Sequence, residues 1–293
     1  MTNIELVNAP LSQPFDVKIS YNHEYIICTD CGDPGRILFF DLNSKQFQFS
    51  IPTPSYGPMF LCIEEGYRNA FSDALFFDCK GDKSLHKYDL QSFVFNKQRD
   101  QEYSDCDEES PLQGKIWTSV CVQGATGISI MQSQSKLFVG CFDRTVKILD
   151  SNTGTLIDVV ALMNTLPLGI NFFEMGKNHY LIVGGWKKIE FFVKQVDVCQ
   201  ETWSCLQNNA GLIHSSGSNT YGTVFDPISR CLIVPTQDTV LCYRLFESTH
   251  LEWTLINKVD VHNFARPQGL CLNDRSGELL VCERGANRIR IYQ

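Results

Sequence analysis

The chain has 293 residues, of which 43% are hydrophobic and 20% charged, and its formal charge at pH 7 is −8. It lacks any uninterrupted apolar run of about 18 residues, the length that spans a bilayer, and it does not begin with the basic and apolar segments of a secretory signal. These features exclude a helical membrane protein. They predict a cytoplasmic protein with no membrane partner, whose 13 cysteines stay reduced.

The negative charge is concentrated in one segment. Its six carboxylates are Asp100, Glu102, Asp105, Asp107, Glu108 and Glu109. Without them the rest of the chain carries a formal charge of −2. A nearly neutral body argues against broad nucleic-acid binding and predicts no DNA partner, because such binding needs a basic surface. We interpret residues 91–113 as an acidic insertion in a single domain of residues 1–293. The six carboxylates are then a candidate docking arm for a basic partner.

A short apolar strand recurs six times, as expected of strands that are covered on both faces. The six copies lie at residues 25–28, 74–78, 136–140, 180–184, 231–235 and 279–282. Their centres are 44 to 62 residues apart. A β-propeller blade repeats every 40–50 residues or so, which leaves room for one insertion. The spacing therefore predicts an all-β, six-bladed propeller of four-stranded antiparallel blades.

Each apolar strand has a preceding strand entered through Gly or Pro, as in residues 13–17 and 267–271. Small residues favour close approach, so these strands are predicted to surround the channel. Three copies of the outermost strand carry a tryptophan in register, namely Trp117, Trp203 and Trp253. If Trp117 marks the outer strand of the second blade, the insertion projects from the face opposite the inter-blade connections. The alternative outer strand, residues 93–95, would move it to the other face.

The last blade is one strand short, because the chain stops at Gln293 directly after a third strand. The segment from Asn3 to Val7 can supply the missing strand. Propellers commonly close in this way, which removes an open sheet edge. The sequence thus predicts that the N-terminal strand completes the last blade.

The last blade also resembles an NHL repeat. The resemblance rests on residues 266–270, on residues 277–282, and on Gly285-Ala286-Asn287-Arg288-Ile289-Arg290-Ile291-Tyr292. The third blade is intermediate and also resembles a WD-type repeat, whereas the other four depart from both patterns. The resemblance implies a six-bladed propeller, in a family whose members mostly bind proteins or RNA.

The sequence predicts no catalytic residue, metal site or cofactor. Calcium-dependent lactonases share the six-bladed fold and hold their ion at the starts of the inner strands. The corresponding positions here are Asp16, Met59, Ile128, Asn171, Thr223 and Gln268, with a single carboxylate among them, whereas Ca²⁺ prefers several. Cys28 and Cys31 have CxxC spacing without a second pair or a histidine cluster. The six histidines lie mainly in predicted loops, and we expect them at the surface.

Basic and aromatic residues fall in turns that share one face of a propeller with the inter-blade connections. The candidate ligand-binding residues are Arg36, Arg144, Lys187, Lys188, Arg266, Arg284, Arg288, Phe142 and Trp186, with Tyr56 close by. Such a ring suits phosphate or an acidic peptide, whereas polar turns without a ligand are the alternative. We therefore expect a monomeric, non-catalytic scaffold that binds a protein or peptide. RNA binding by the same face is the alternative, and a channel hydrolase is less favoured.

Overall fold

The computed structural model describes residues 3–5, 10–95, 113–122, 124–161, 166–175, 178–185, 188–196, 201–206, 220–247, 251–259 and 264–293. Across these residues, 24 strands form six four-stranded antiparallel sheets arranged in a ring. The predicted six-bladed propeller is confirmed. In these same segments no helix is long and apolar enough to cross a membrane.

The strands of each blade run in order from the channel outward, and we call them a to d. Blade 1 contains β2 (Pro14–Ser20), β3 (Tyr25–Asp30), β4 (Arg36–Asp41) and β5 (Phe47–Pro52). Blade 2 contains β6 (Leu61–Glu64), β7 (Ala74–Cys79), β8 (Ser84–Asp89) and β9 (Lys115–Ser119). Blade 3 contains β10 (Ala125–Met131), β11 (Lys136–Cys141), β12 (Thr145–Asp150) and β13 (Leu156–Ala161).

The second half of the ring repeats this arrangement. Blade 4 contains β14 (Gly169–Met175), β15 (Asn178–Gly184), β16 (Ile189–Val196) and β17 (Glu201–Cys205). Blade 5 contains β18 (Val224–Asp226), β19 (Cys231–Pro235), β20 (Val240–Glu247) and β21 (Leu251–Val259). Blade 6 contains β22 (Pro267–Leu272), β23 (Leu279–Glu283), β24 (Arg288–Tyr292) and, as its d strand, β1 (Asn3–Glu5).

The ring closes as predicted. Strand β1 pairs antiparallel with β24, so that Asn3 lies opposite Tyr292 and Glu5 opposite Arg290. The first strand of the chain thereby covers the backbone edge that β24 would otherwise expose.

The a strands approach one another closely around the channel, and glycine makes this possible. A Cβ atom at Gly169 would lie 1.7 Å from the Tyr221 carbonyl oxygen, and one at Gly269 would lie 2.5 Å from the Cα of Asp16. Both distances are far shorter than van der Waals contact, so a larger residue would push the a strands apart. The prediction that small residues mark the channel strands is confirmed.

The hydrophobic core lies between the blades. Buried apolar side chains of the described residues form six clusters, each of which joins neighbouring blades; the cluster of blades 2 and 3 also includes Phe15 of blade 1. Between blades 1 and 2, for example, Phe39 stacks on Phe49 with ring centroids 4.5 Å apart, and Phe77 belongs to the same cluster. Each sheet is therefore apolar on both faces, which explains the apolar b strands.

The tryptophan register is also correct. Trp117, Trp203 and Trp253 lie on the d strands β9, β17 and β21. Residues 93–95, the alternative outer strand, belong to a helical segment over residues 90–95. The acidic segment therefore connects β8 to β9, and its two ends meet where Asp89 N–H donates to the Gly114 carbonyl at 2.8 Å. Its six predicted docking carboxylates lie outside the described residues.

A buried ion pair connects blades 2 and 3. The Lys87 Nζ on β8 lies 2.6 Å from Glu64 Oε2 and donates to the Ser151 carbonyl of blade 3 at 2.9 Å. It also lies 3.8 Å from the ring centroid of Tyr67. Trp117 Nε1–H donates to the same Ser151 carbonyl at 3.0 Å. The Lys87 ammonium thus has both charged and neutral partners, as a fully buried cation requires.

Truncation of Lys87 tests this interaction. We expect Lys87→Ala to lower the free energy of unfolding by about 3–5 kcal/mol, because Glu64 would remain buried without its partner. Lys83→Ala removes an exposed lysine of the same blade and is expected to change it by less than about 0.5 kcal/mol. Urea unfolding of both variants measures the difference, and equal effects would contradict the proposed strength of the pair.

Removal of the closing strand tests the ring closure. Deletion of residues 1–8 exposes the β24 edge and is expected to cost several kcal/mol, measured as a lower melting temperature. Ile4→Pro should act in the same direction, because proline fixes φ at about −65°, whereas an antiparallel strand such as β1 needs φ of about −140°. Ile4→Val is the control that permits the extended backbone. An unchanged melting temperature in the truncated protein would refute closure by β1.

Candidate functional site

The turns between b and c strands share one face of the ring with the inter-blade connections. Backbone hydrogen bonds join the two sets, from Phe142 N–H to the Gly124 carbonyl at 3.3 Å and from Arg284 N–H to the Arg266 carbonyl at 3.2 Å. We call this surface the connection face. The a–b and c–d turns, including both ends of the acidic insertion, form the opposite face. The turns that carry Arg36, Arg144, Arg266, Arg284 and Arg288 lie on this face.

Three of the candidate basic residues are bound to carboxylates of their own blades. Arg36 Nη2 lies 2.9 Å from Asp30 Oδ2, and Arg288 Nε donates to Glu283 Oε2 at 2.6 Å. Lys188 donates to Glu190 in the same way. The positive charge of this part of the ring is therefore largely compensated within the protein.

Strand register explains two of these pairs. Asp30 lies directly opposite Arg36, and Glu283 lies opposite Arg288, at the same b–c position of blades 1 and 6. The Asp30 carboxylate also accepts the Gln13 N–H, which fixes the connection entering blade 1. These two arginines stabilise the ends of their own blades. This agrees with the alternative given above, in which the basic residues belong to polar turns that bind no ligand.

The other three arginines make no ion pair among the described residues. Arg144 and Arg266 are exposed, and both have left-handed backbone, with φ of 66° and 54°. Arg284 Nη2 donates to the neutral Gln13 side chain at 2.8 Å, and its guanidinium lies 5.6 Å from the ring centroid of Phe15. These three guanidinium groups keep an uncompensated charge on the connection face.

Exposed apolar side chains accompany them. Tyr56, Val120 and Phe142 are 63%, 75% and 51% exposed. Tyr56 rests beside Gly81 and Phe142 beside Gly124, where a Cβ atom would lie 2.8 Å and 2.5 Å from the respective ring. Glycine thus lets each ring lie flat on the neighbouring turn while its other side faces solvent. Val120 was not among the sequence candidates. Lys187 and Trp186 lie outside the described residues.

The central channel encloses a cavity of about 250 Å³ lined by residues of all six a strands. Asp16 and Asp274 both line it, of which the sequence predicted Asp16 alone, and Lys18 Nζ lies 2.6 Å from Asp16 Oδ1. The other oxygen, Oδ2, accepts the Leu61 N–H at 3.1 Å. An ammonium group thus occupies the place beside this carboxylate that a bound cation would take. Thr223 Oγ1 and Gln268 Oε1 are buried near the channel and have no hydrogen-bond partner among the residues that the structure describes.

Asp78 of blade 2 resembles Asp30 of blade 1, since its carboxylate accepts backbone N–H groups of the preceding connection. Blade 2, however, has no arginine opposite this aspartate. Asp78 Oδ1 accepts the N–H groups of Met59 and Phe60 at 2.9 Å and 2.7 Å, whereas the residue opposite Asp78 is Leu85. Burial, without a cation to offset it, raises the pKa of Asp78 to about 7. The folded protein therefore keeps this proton in a pH range where the unfolded chain has lost it.

One expectation from the sequence was wrong. His86 lies on β8 and is 3% exposed, with its ring 5.4 Å from that of Phe77, rather than at the surface. The sequence of β8 does not reveal that His86 is buried, because the strand contains polar as well as apolar residues although it is buried on both faces. His23 and His179 are also partly buried.

The comparison with known families agrees with the fold. Residues 264–292 match the NHL repeat family, and this is the segment in which the sequence resembles such a repeat. The match covers blade 6 alone. No curated protein sequence matches the chain.

Solved structures extend the likeness to the whole ring. The chain is similar to hydrazine synthase of Kuenenia stuttgartiensis, with a TM-score of 0.61 and 10% identity over 98% of this chain and 97% of that one. It is similar to the Cps50 (Swd1) β-propeller domain of Myceliophteria thermophila, with a TM-score of 0.63 and 13% identity over 99% of both chains. A chain of a mitotic checkpoint complex gives 0.61 and 14% over 98% of this chain and 77% of that one. At these identities the likeness shows the fold alone.

Substitution of Asp78 tests the buried acid. When the pKa of a carboxyl group is raised on folding, protonation of that group increases the free energy of unfolding. This stabilisation is lost as the pH rises from about 4 to about 7. We expect Asp78→Asn to be roughly 2 kcal/mol more stable than wild type at pH 8, and to lose less stability between pH 5 and pH 8. Urea unfolding at the two pH values measures both effects.

Asp30→Asn is the matched control. It breaks the ion pair with Arg36 and should destabilise the protein at pH 8. An Asp78→Asn variant that loses as much stability as wild type between the two pH values would assign the pH dependence to another group.

Proposed function

We propose that the protein is a non-catalytic interaction platform that binds an acidic protein or peptide segment on its connection face. The observation that carries this proposal is the coincidence of three uncompensated guanidinium groups with exposed aromatic rings on one face. Arg144 and Phe142 belong to the same turn, and Arg266 and Arg284 belong to adjoining loops of blade 6.

The chemistry of these residues suits a protein ligand. Arginine binds carboxylates through two parallel hydrogen bonds, and tyrosine and arginine are enriched where protein interfaces gain most of their free energy. Rings such as Phe142 and Tyr56 already lie against the turns, so little side-chain entropy is lost when a partner covers them. The connection face thus provides both aromatic side chains for apolar contacts and positive charge for an acidic partner.

A protein partner is favoured over RNA for an electrostatic reason. RNA binding depends on neutralising many phosphates, and its affinity falls steeply with salt. Here Arg36, Lys188 and Arg288 are paired with carboxylates, and the chain carries a formal charge of −8. The connection face is therefore a set of separate guanidinium groups rather than a continuous basic surface.

The non-catalytic part of the proposal rests on the channel. The Asp16 carboxylate is bound to Lys18, which leaves it poorly suited to hold a catalytic cation. A cytoplasmic location is also proposed, since eleven cysteines of the described residues are free thiols. One of the similar folds belongs to a mitotic checkpoint complex, where a propeller takes part in an assembly.

Charge reversal tests the proposed face. The tagged protein is captured from its own cells, and bound proteins and crosslinked RNA are identified together. We expect a protein partner whose recovery falls at least about tenfold in Arg144→Glu and in Phe142→Ala, because each change removes an anchor worth more than about 1.4 kcal/mol.

Arg230→Glu is the matched control. Arg230 is an exposed arginine with φ of 56°, close to that of Arg144, but it lies in an a–b turn on the opposite face. It should leave recovery unchanged. Equal recovery from all the variants would refute the connection face as the binding site. RNA enrichment lost in Arg144→Glu would establish the RNA alternative in its place.

A further inference from the structure

The b–c turn of blade 2 brings together three side chains of the kinds that bind transition metals. Cys79 ends β7, Asp82 lies in the turn, and His86 lies on β8. The thiol, one carboxylate oxygen and one imidazole nitrogen all lie within 4.8 Å of one another. Cys79 and His86 are 1% and 3% exposed, whereas the Asp82 side chain is 42% exposed. The cluster is thus buried on two sides and open to solvent on the third.

Neighbouring hydroxyl groups orient the imidazole. His86 Nε2 faces the turn, 2.7 Å from Ser84 Oγ and 3.5 Å from Asp82 Oδ2. His86 Nδ1 lies on the other side of the ring, 3.1 Å from Thr118 Oγ1. A histidine that binds a metal through one nitrogen normally donates its other N–H to such an acceptor. Because Ser84 gives its hydroxyl proton to Asp82, Nε2–H donates to Ser84 Oγ in this hydrogen-bond pattern. A metal bound through Nε2 would replace that hydrogen bond and leave the ring proton on Nδ1, where Thr118 Oγ1 can accept it.

The corresponding turn of blade 3 shows what this position accommodates. There Cys141 ends the b strand, and Thr145 Oγ1 donates to Asp143 Oδ1 at 2.6 Å, as Ser84 Oγ donates to Asp82 Oδ1 at 2.6 Å. The residue four after the aspartate is Lys147, whose Nζ lies 3.4 Å from Asp143 Oδ2. In blade 3 the aspartate thus forms an ion pair with a lysine of the same blade.

Blade 2 places the imidazole of His86 where blade 3 has the Lys147 ammonium. Neutral imidazole is the form of the histidine side chain that binds metals. Asp82 therefore lacks the fixed positive charge that Asp143 has, although both turns contain the same hydroxyl-to-aspartate hydrogen bond and the turn of blade 2 is one residue longer. A small cation bound beside Cys79 and His86 would supply this charge.

We propose that Cys79, Asp82 and His86 form a Zn²⁺ site in the b–c turn of blade 2. Thiolate, imidazole and carboxylate are the ligands that Zn²⁺ takes in proteins, and a fourth, solvent-facing position on the Asp82 side would complete a tetrahedron. Binding releases the Cys79 thiol proton to solvent, so that the thiolate coordinates the ion. The site shares no residue with the channel or with the proposed anchors Arg144 and Phe142, although Tyr56 lies against Gly81 of the same turn.

Co²⁺ titration of the purified full-length protein tests the site. Co²⁺ takes the place of Zn²⁺, and a thiolate ligand gives it a charge-transfer absorption band in the near ultraviolet. We expect one equivalent of Co²⁺ to produce this band and added Zn²⁺ to remove it. His86→Lys copies the residue pattern of blade 3 and should abolish the band while the circular dichroism spectrum of the folded protein is kept. Cys79→Ser should abolish it as well.

Cys141→Ser is the matched control, because Cys141 has the same place in blade 3 and is equally buried. It should bind Co²⁺ like wild type. Wild-type protein that binds no stoichiometric Co²⁺ would overturn the proposal. A band that persists in Cys79→Ser or in His86→Lys would assign the metal to other cysteines of the chain and would overturn it equally.

Discussion

The closed ring is the constraint on which the rest of the structure depends. No blade has a core of its own, since the six apolar clusters lie between neighbouring sheets. Each sheet must therefore be apolar on both faces, and polar chemistry is confined to the two rims and the channel. The pairing of β1 with β24 completes this arrangement by filling the last edge.

Charge is distributed according to the same constraint. Two cations that enter the ring of sheets have partners there: Lys87 has Glu64 and Ser151, and Arg36 has Asp30. Arg144 and Arg266, by contrast, lie at turn positions outside the sheets, where solvent is their environment. The connection face differs from the sheets because side chains in its turns are exposed to water and can remain charged without a partner. The acidic insertion begins and ends on the opposite face.

Sequence reasoning was sufficient for the fold, because the apolar b strands, the blade period and Trp117 all record burial between sheets. The shared face of the basic turns also followed from the propeller topology. The pairing of Arg36 with Asp30 did not, since it depends on cross-strand register at the end of a hairpin. The sequence did not group Cys79 with His86 for the same reason. The two residues lie on different strands and come together only when the turn between them folds. His86 was placed at the surface because four of the six residues of β8 are polar, and such a composition gives no sign that the strand is buried.

The strand pair that closes the ring has a mechanical consequence. Asn3 lies opposite Tyr292, so the first residue of β1 and the last residues of β24 meet at the same end of their ladder. A force that pulls these two points apart acts on one hydrogen bond at a time, in the manner of a zipper, rather than shearing all of them together. Tension applied through the chain ends would therefore open blade 6 before it disturbed any of the other five sheets.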